Sequence, residues 1–515
     1  MIKEWAGKYN NIICSVLTGF LLISIFPLPG ISLLAWVSMI PLLWLLRCNK
    51  VKNRFLSGWL AGIVFFYGLL YWLAGTMIRF GGLPLILSQI LLILLCLYLG
   101  LYFGSFCSIL GFAYRRIHVP FCILAPAIWV ALEFLRSHFL TGFPWGLLGY
   151  SQAKSLHIVQ FADLAGVYGI SFFIVFVNAG LTDLIALYGE YKSGQRLGLQ
   201  IIFKGSALIL STGLVLGYGV FRLGSQKLVH DAVNRLEIGL IQENVPQDIK
   251  RDIGNSYKIL ADYGQTSLRL SPTDKKLIIW PETACTAAIF PGEGQIFFVL
   301  SELARQLDSH LLLGCPRYNL KKEGLYNSAL LFSPTGDVIG FYDKIHLVPF
   351  GEYFPFEWIG KSLGNLGSFL RGNDFTTFKV QDNHFAVVIC FEVIFPDLCR
   401  RFVKRGAEFL VNLTNDAWFG RTSAPYQHFD MACMRSVENR VWLVRAANTG
   451  ISGFVDPWGK VIKKGKIFEK LTLEAGVYKS PLRSLYVRTG DFFAWLCVFF
   501  TLIWSIIAVK KMRGE

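Results

Sequence analysis

Long apolar runs constrain this chain more than any other feature. They cover residues 12–27, 31–46, 57–78, 83–112, 120–135, 164–187, 201–221 and 492–509. A helix crossing ~30 Å of hydrocarbon needs ~20 mostly apolar residues, so each run predicts a membrane span, about eight in all. The first two are short and meet at the turn Pro27-Leu28-Pro29-Gly30, and the fourth is long enough to tilt. No small-residue cleavage site follows the first run and another begins almost at once, which favours a span over a leader peptide. Composition agrees: 54% of the residues are hydrophobic and 16% charged, against ~25% charged in soluble domains. A wholly soluble globular chain and a disordered one are both excluded.

Lys and Arg in the short connections set the orientation. They gather at Lys3 and Lys8, at Arg47, Lys50, Lys52 and Arg54, at Arg115 and Arg116, at Lys192 and Arg196, and at Lys510, Lys511 and Arg513. The intervening connections hold few, chiefly Arg79, Arg136 and Lys154. The pattern predicts both termini on the cytoplasmic side and the stretch before the last run on the outer face. Much of the net charge of +16 is therefore topology, and no nucleic-acid partner is expected. In one outward connection Trp129, Glu133 and Arg136 precede Thr141-Gly142-Phe143-Pro144-Trp145-Gly146. Ionisable residues at a membrane boundary are costly, so this stretch reads either as functional or as an interfacial anchor beside an aromatic belt. The 11 cysteines form no C-x-x-C pair and no His/Cys cluster, so neither a disulfide framework nor a metal site is expected.

Residues 227–488 have another texture. Short β-branched runs at 236–241, 276–280, 311–314, 328–332, 338–342, 385–390, 409–413, 441–446 and 453–455 alternate with amphipathic patterns at 248–263, 295–306, 397–405 and 426–440. This alternation predicts a layered α/β domain, with a hairpin turn at Pro334-Thr335-Gly336-Asp337. The chain divides into a transmembrane part, 1–226, the α/β domain, 227–488, and a last span with a basic tail, 489–515.

Three reactive residues stand at ends of strand-like runs. Cys390 ends Phe385-Ala386-Val387-Val388-Ile389. A thiol there can face a cleft, and the N–H after it can bind an oxyanion; a buried structural cysteine is the commoner case. Glu282 ends Trp280-Pro281-Glu282 and suits a general base, or is a satisfied strand-end acid. Lys344 could neutralise an oxyanion with Glu352 holding it, or is a surface strand lysine.

Together the three say more than each alone. Trp280-Pro281-Glu282, then Asp343-Lys344-Ile345-His346-Leu347-Val348-Pro349-Phe350-Gly351-Glu352, then Ile389-Cys390-Phe391-Glu392 resemble the Glu–Lys–Cys triad of the nitrilase superfamily of carbon–nitrogen hydrolases. The resemblance extends through Gln242-Glu243-Asn244, Tyr326-Asn327-Ser328, Asn415-Asp416-Ala417-Trp418-Phe419-Gly420 and Ala447-Asn448-Thr449-Gly450-Ile451-Ser452. With the apolar runs and the Thr141–Trp145 stretch added, the whole chain is similar to the apolipoprotein N-acyltransferases, the membrane-bound branch of that superfamily.

That resemblance implies an αββα sandwich and a ping-pong reaction with no cofactor and no metal. Cys390, deprotonated by Glu282, would take the sn-1 acyl chain of a membrane phospholipid as a thioester. It would then pass the chain to the N-terminal amine of a diacylglyceryl-cysteine apolipoprotein. Lys344 and the N–H of Phe391 would hold the oxyanion, with Glu352 and Glu392 in support, and Asn415, Trp418, Phe419 and Trp145 would contact substrate. The implied location is the bacterial inner membrane, with a periplasmic catalytic domain. Two positions depart from the family: Phe391 stands where Tyr is common, and Arg251 where Trp is frequent. A membrane-anchored amidase that hydrolyses a small amide is the alternative enzyme, and a transporter with a degenerate catalytic domain the alternative of another class.

Overall fold

The computed structural model describes residues 2–47, 53–192, 197–226, 235–270, 276–290, 292–354, 369–480, 482 and 484–514. Lys50, Lys52 and Arg196 of the charge reading, the side chains of Lys3 and Lys8, and the expected boundary at 227 lie outside the described residues. Two compact units are present, one of Met1–Gly224 with Thr489–Glu515 and one of Ser225–Arg488.

The first unit is helical. Among the described residues, five helices are long and apolar enough to cross a membrane: Leu85–Ala113, Phe121–Thr141, Ala162–Lys192, Gly198–Gly224 and Phe492–Arg513. The pair Arg54–Leu70 and Trp72–Gly81, bent by 51°, makes a sixth if taken as one span. The expected spans at 12–27 and 31–46 are shorter apolar helices, Asn11–Ser24 and Ser32–Arg47. In lipid, small residues let helices approach closely, and the contact of Arg54–Leu70 with Leu85–Ala113 works this way. A Cβ on Gly58 would stand 2.4 Å from the Phe103 carbonyl oxygen, and one on Gly62 2.9 Å from Gly100 Cα. Charges inside the unit are matched, Arg47 on Asp183 at 2.7 Å and Arg222 on Asp163 at 2.6 Å.

Glu133 and Arg136, left open between two readings, bind the backbone of the connection that follows them. Glu133 Oε1 accepts from Leu148 N at 2.9 Å, and Arg136 Nη1 donates to the carbonyls of Phe143 at 2.9 Å and Trp145 at 2.6 Å. They tie the connection into the helices, and Trp145 itself is buried against Trp72, ring centroids 5.2 Å apart.

The second unit is a sandwich of two six-stranded sheets. The first carries β1 (Arg235–Gln242), β2 (Leu277–Ile279), β3 (His310–Asn319), β4 (Gly324–Phe332), β5 (Val338–Asp343) and β12 (Leu471–Tyr478), in the order 12-1-2-3-4-5. The second carries β6 (Thr377–Val380), β7 (Asn383–Ile389), β8 (Phe409–Thr414), β9 (Trp442–Ala447), β10 (Gly453–Val455) and β11 (Val461–Lys464), in the order 11-10-9-8-7-6. In each sheet the central strands are parallel, β1-β2-β3 and β7-β8-β9, and the outer ones antiparallel. Parallel strands covered on both faces read as continuous apolar runs, and β8 and β9 are buried at every position. Helices Ser256–Leu270 and Gln295–Leu307 cover the first sheet, with Leu260, Tyr263, Leu300 and Ala304 packed on Ile278, Leu311, Leu313 and Leu330. Helices Pro396–Lys404 and Ala424–Asn439 pack with the strands of the second. This is the expected αββα order.

Candidate active site

The carboxyl ends of the central strands converge, as they do wherever parallel sheets build a cleft. Glu282 follows β2, Lys344 follows β5, Cys390 follows β7, Asn415 follows β8 and Asn448 follows β9. Local backbone aims the two end-of-strand groups. Cys390 has φ +51°, and Thr283, after Glu282, also has φ +51°. Both lie in the left-handed region that non-glycine residues enter only at some cost in strain. The turn at Glu282 lies flush on β3, where a Cβ on Gly314 would stand 2.6 Å from Glu282 Cα.

The four charged or reactive groups form one buried cluster. Lys344 Nζ donates to Glu352 Oε1 at 2.9 Å and lies 3.6 Å from Glu282 Oε1. Asn327 Nδ2 donates to both carboxylates, at 2.9 Å to Glu282 and 2.7 Å to Glu352, bridging two like charges. The other oxygens are held by main chain: Asn415 N on Glu282 Oε2 at 2.9 Å and Val348 N on Glu352 Oε2 at 2.8 Å. Burial would lower the Lys344 ammonium, but Glu352 and then Glu282 outweigh it and hold the group above the usual lysine range. Burial, and then the Glu282 carboxylate, push the Cys390 thiol up, while Lys344 pulls it down. The resting site therefore holds a thiol beside a carboxylate and a fixed ammonium. That arrangement takes a proton from sulfur to oxygen and puts positive charge where an oxyanion develops.

Other expected residues take varied places. Glu392 is fully buried; Oε1 accepts from Tyr342 Oη (2.8 Å), Ile345 N (2.7 Å) and His346 N (2.9 Å), and Oε2 from Ile389 N (2.7 Å). It pins the loop bearing Lys344 to the strand bearing Cys390, and burial raises its carboxyl to about 7. The Phe391 ring packs on Phe395 at 5.3 Å and His346 at 6.1 Å. Arg251 lies over the Trp418 ring at 5.6 Å, and Phe419 meets His428 edge-on at 6.0 Å. Trp145 belongs to the helical unit and is buried there.

Sequence reasoning gave no role to Gln247, Lys250, Asp416, His428 or Arg445. Gln247 Oε1 accepts from Asn415 Nδ2 at 2.8 Å, and Lys250 Nζ donates to the Glu282 carbonyl at 3.2 Å. Asp416 stood inside a quoted motif and could have been singled out. His428 and Arg445 sit within a helical and a strand pattern, with no local signal of their place.

Both units match known families in sequence. Residues 18–180 match the apolipoprotein N-acyltransferase N-terminal domain, and residues 261–484 the carbon-nitrogen hydrolase domain. An apolipoprotein N-acyltransferase of Geobacter metallireducens is 38% identical, over 98% of this chain and 96% of its own. Those of Haemophilus influenzae and Photobacterium profundum are 31% and 30% identical, over 99% and 100% of this chain and 97% and 98% of theirs. By identity of this level over its whole length, the chain belongs to the apolipoprotein N-acyltransferase family.

Proposed function

We propose that the chain moves a fatty acyl group from the sn-1 ester of a membrane phospholipid to the N-terminal amine of a diacylglyceryl-cysteine lipoprotein, through a thioester on Cys390. The buried Glu282–Lys344–Glu352 cluster beside the Cys390 thiol, in a chain carrying several membrane-length helices, is the observation that carries this reading. In the first half, Glu282 takes the thiol proton as sulfur attacks the ester carbonyl. Lys344 and the Phe391 N–H face the oxyanion; its collapse expels the glyceryl oxygen, which leaves as lysophospholipid with the proton from Glu282. In the second half the amine attacks the thioester, Glu282 takes a proton from nitrogen, and the thiol is restored. An amide is more stable than a thioester, so transfer runs downhill.

Eight crossings, in the inner membrane, with the α/β unit on the periplasmic face and the basic connections inside, complete the proposal. An amine held in the bilayer plane then meets the thioester where a soluble relative would admit water. The test is the intact mass of the protein after incubation with phospholipid. An added acyl mass, lost on supplying a diacylglyceryl-cysteine peptide and absent in Cys390→Ser, is expected. An adduct that persists in the serine variant, or that water removes as fast as the peptide does, would sink it.

A further inference from the structure

Behind Cys390 lies a polar network with its members fully or almost fully buried. His428 Nε2 stands 3.2 Å from the Cys390 carbonyl oxygen. Its Nδ1 is 3.0 Å from Arg445 Nη2 and 3.0 Å from Asp416 Oδ1. Arg445 Nη2 donates to Asp416 Oδ2 at 2.8 Å, Arg445 Nη1 donates to Asn412 Oδ1, and Thr414 Oγ1 donates to Asp416 Oδ1 at 2.9 Å. Gly450 closes the network, since a Cβ there would stand 2.2 Å from Asp416 Oδ2. Strands β8 and β9 and helix Ala424–Asn439 thus all converge on one carbonyl.

That carbonyl shares its peptide plane with the N–H of Phe391. The plane is rigid and trans, so C=O and N–H point in opposite directions and fixing one aims the other. A carbonyl only accepts, so His428 Nε2 must carry a proton to bond it. Burial, and then Arg445, hold the imidazole below its ordinary value against the pull of Asp416, and both of these charged groups meet the ring at Nδ1, leaving Nε2 to the carbonyl. Phe391 lies in the first turn of the 3₁₀ helix Cys390–Ile394, where the turn supplies N–H groups with no partner of its own. A hydrogen bond to the carbonyl also polarises the amide and strengthens its N–H as a donor.

We infer that His428 is a positioning residue for the oxyanion site: by holding the Cys390 carbonyl it aims the Phe391 N–H at the developing oxyanion in both half-reactions. Asp416 and Arg445 fix the ring that does so. The inference rests on Cys390 as the nucleophile.

The test uses the full chain in phospholipid–detergent micelles and two variants. His428→Met fills the space without a donor. His428→Gln keeps an amide N–H near the place of Nε2. Three rates are read for each: thioester formation from phospholipid, transfer to a diacylglyceryl-cysteine peptide, and iodoacetamide alkylation of Cys390 followed by peptide mass. Alkylation displaces iodide and builds no oxyanion, so it reports on the thiol alone. The Met variant should lose about tenfold or more in kcat of both half-reactions with KM unchanged, short of the ~10²–10³ lost with a donor itself. Its alkylation should match the parent, and the Gln variant should recover most of the loss. Equal losses in Met and Gln variants would overturn the inference, as would alkylation falling in step with acylation. A parent enzyme that forms no adduct would overturn the Cys390 reading and this inference with it.

Discussion

Lys344 and Lys250 are both buried beside Glu282, and their surroundings drive them apart. Glu352 and Glu282 keep Lys344 charged against the pull of burial, so it can serve as a permanent positive group. Lys250 rests on the main-chain carbonyl of Glu282, and burial lowers its ammonium to about 7 despite Glu282 and Cys285. An unfolded lysine releases its proton near ~10.4. Between these two values the unfolded chain binds the extra proton, so stability rises with pH across that window and is lowest below about 7. The unfolding temperature of the parent should therefore gain on that of Lys250→Met between pH 7 and 9; parallel curves would contradict a buried, lowered lysine. Catalysis separates the other two groups. Lys344→Ala should slow both half-reactions by ~10²–10³, the usual cost of a lost oxyanion partner. Glu282→Gln keeps the shape and removes the base, so thioester formation should collapse, and a chemically pre-acylated Glu282→Gln enzyme should also transfer slowly in single turnover. Transfer at the parent rate would mean that another group takes the amine's proton. Glu392, with both oxygens committed to donors, is poorly placed for that.

Elements, more than residues, decide what the sequence discloses. The apolar β7 leading to Cys390 and the hairpin joining β4 and β5 are legible, because burial on both faces and a Pro-Thr-Gly-Asp turn leave plain marks. Strands β6, β11 and β12 escape notice: β6 is only 4 residues long, β12 is mostly half-exposed, and β11 reads Val461-Ile462-Lys463-Lys464, with no alternation to find. The pattern at 248–263, expected as one helix, is two, Gln247–Arg251 and Ser256–Leu270. Asp252 breaks it, its extended backbone and its Oδ1 on Gly254 N at 2.9 Å competing with the helix. That break leaves a short helix bearing Gln247, Lys250 and Arg251 against Asn415, Glu282 and Trp418. The network of Asp416, His428 and Arg445 was illegible for another reason: its members come from three elements and meet only once the second sheet has formed. Strand β3 offers a test at this scale. Gly314→Ala would force its Cβ to within 2.6 Å of Glu282 Cα, and overpacking of this kind costs ~1–3 kcal/mol. Activity should fall further than stability, because the strained turn carries the base; full activity in a stable alanine variant would show that the turn yields without moving Glu282.

At the scale of the whole molecule, orientation is a question of parity. Four long helices and the bent pair Arg54–Leu70 with Trp72–Gly81 precede the α/β unit, and Phe492–Arg513 follows it. The bent pair counts once if it is a single span, giving an odd number. The two short helices, Asn11–Ser24 and Ser32–Arg47, are joined by a tight turn. If both cross, or if they dip in and return together, the number stays odd. The start of the chain and the α/β unit then fall on opposite sides whichever holds, and the last helix brings the tail back. Charge decides which side is which. Arg115 and Arg116, and Lys510, Lys511 and Arg513, flank connections that parity puts on one side, and Lys/Arg-rich connections stay in the cytoplasm. Alkaline phosphatase, active only outside the cytoplasm, should therefore be active when fused after Gly336 and inactive when fused after Arg116 or at the end of the chain. Activity at all three positions would overturn this arrangement, since it requires one of the three helices between Arg116 and the α/β unit, and Phe492–Arg513 as well, not to cross. Activity after Arg116 and at the end alone would reverse the orientation and place the Cys390 thiol on the cytoplasmic side.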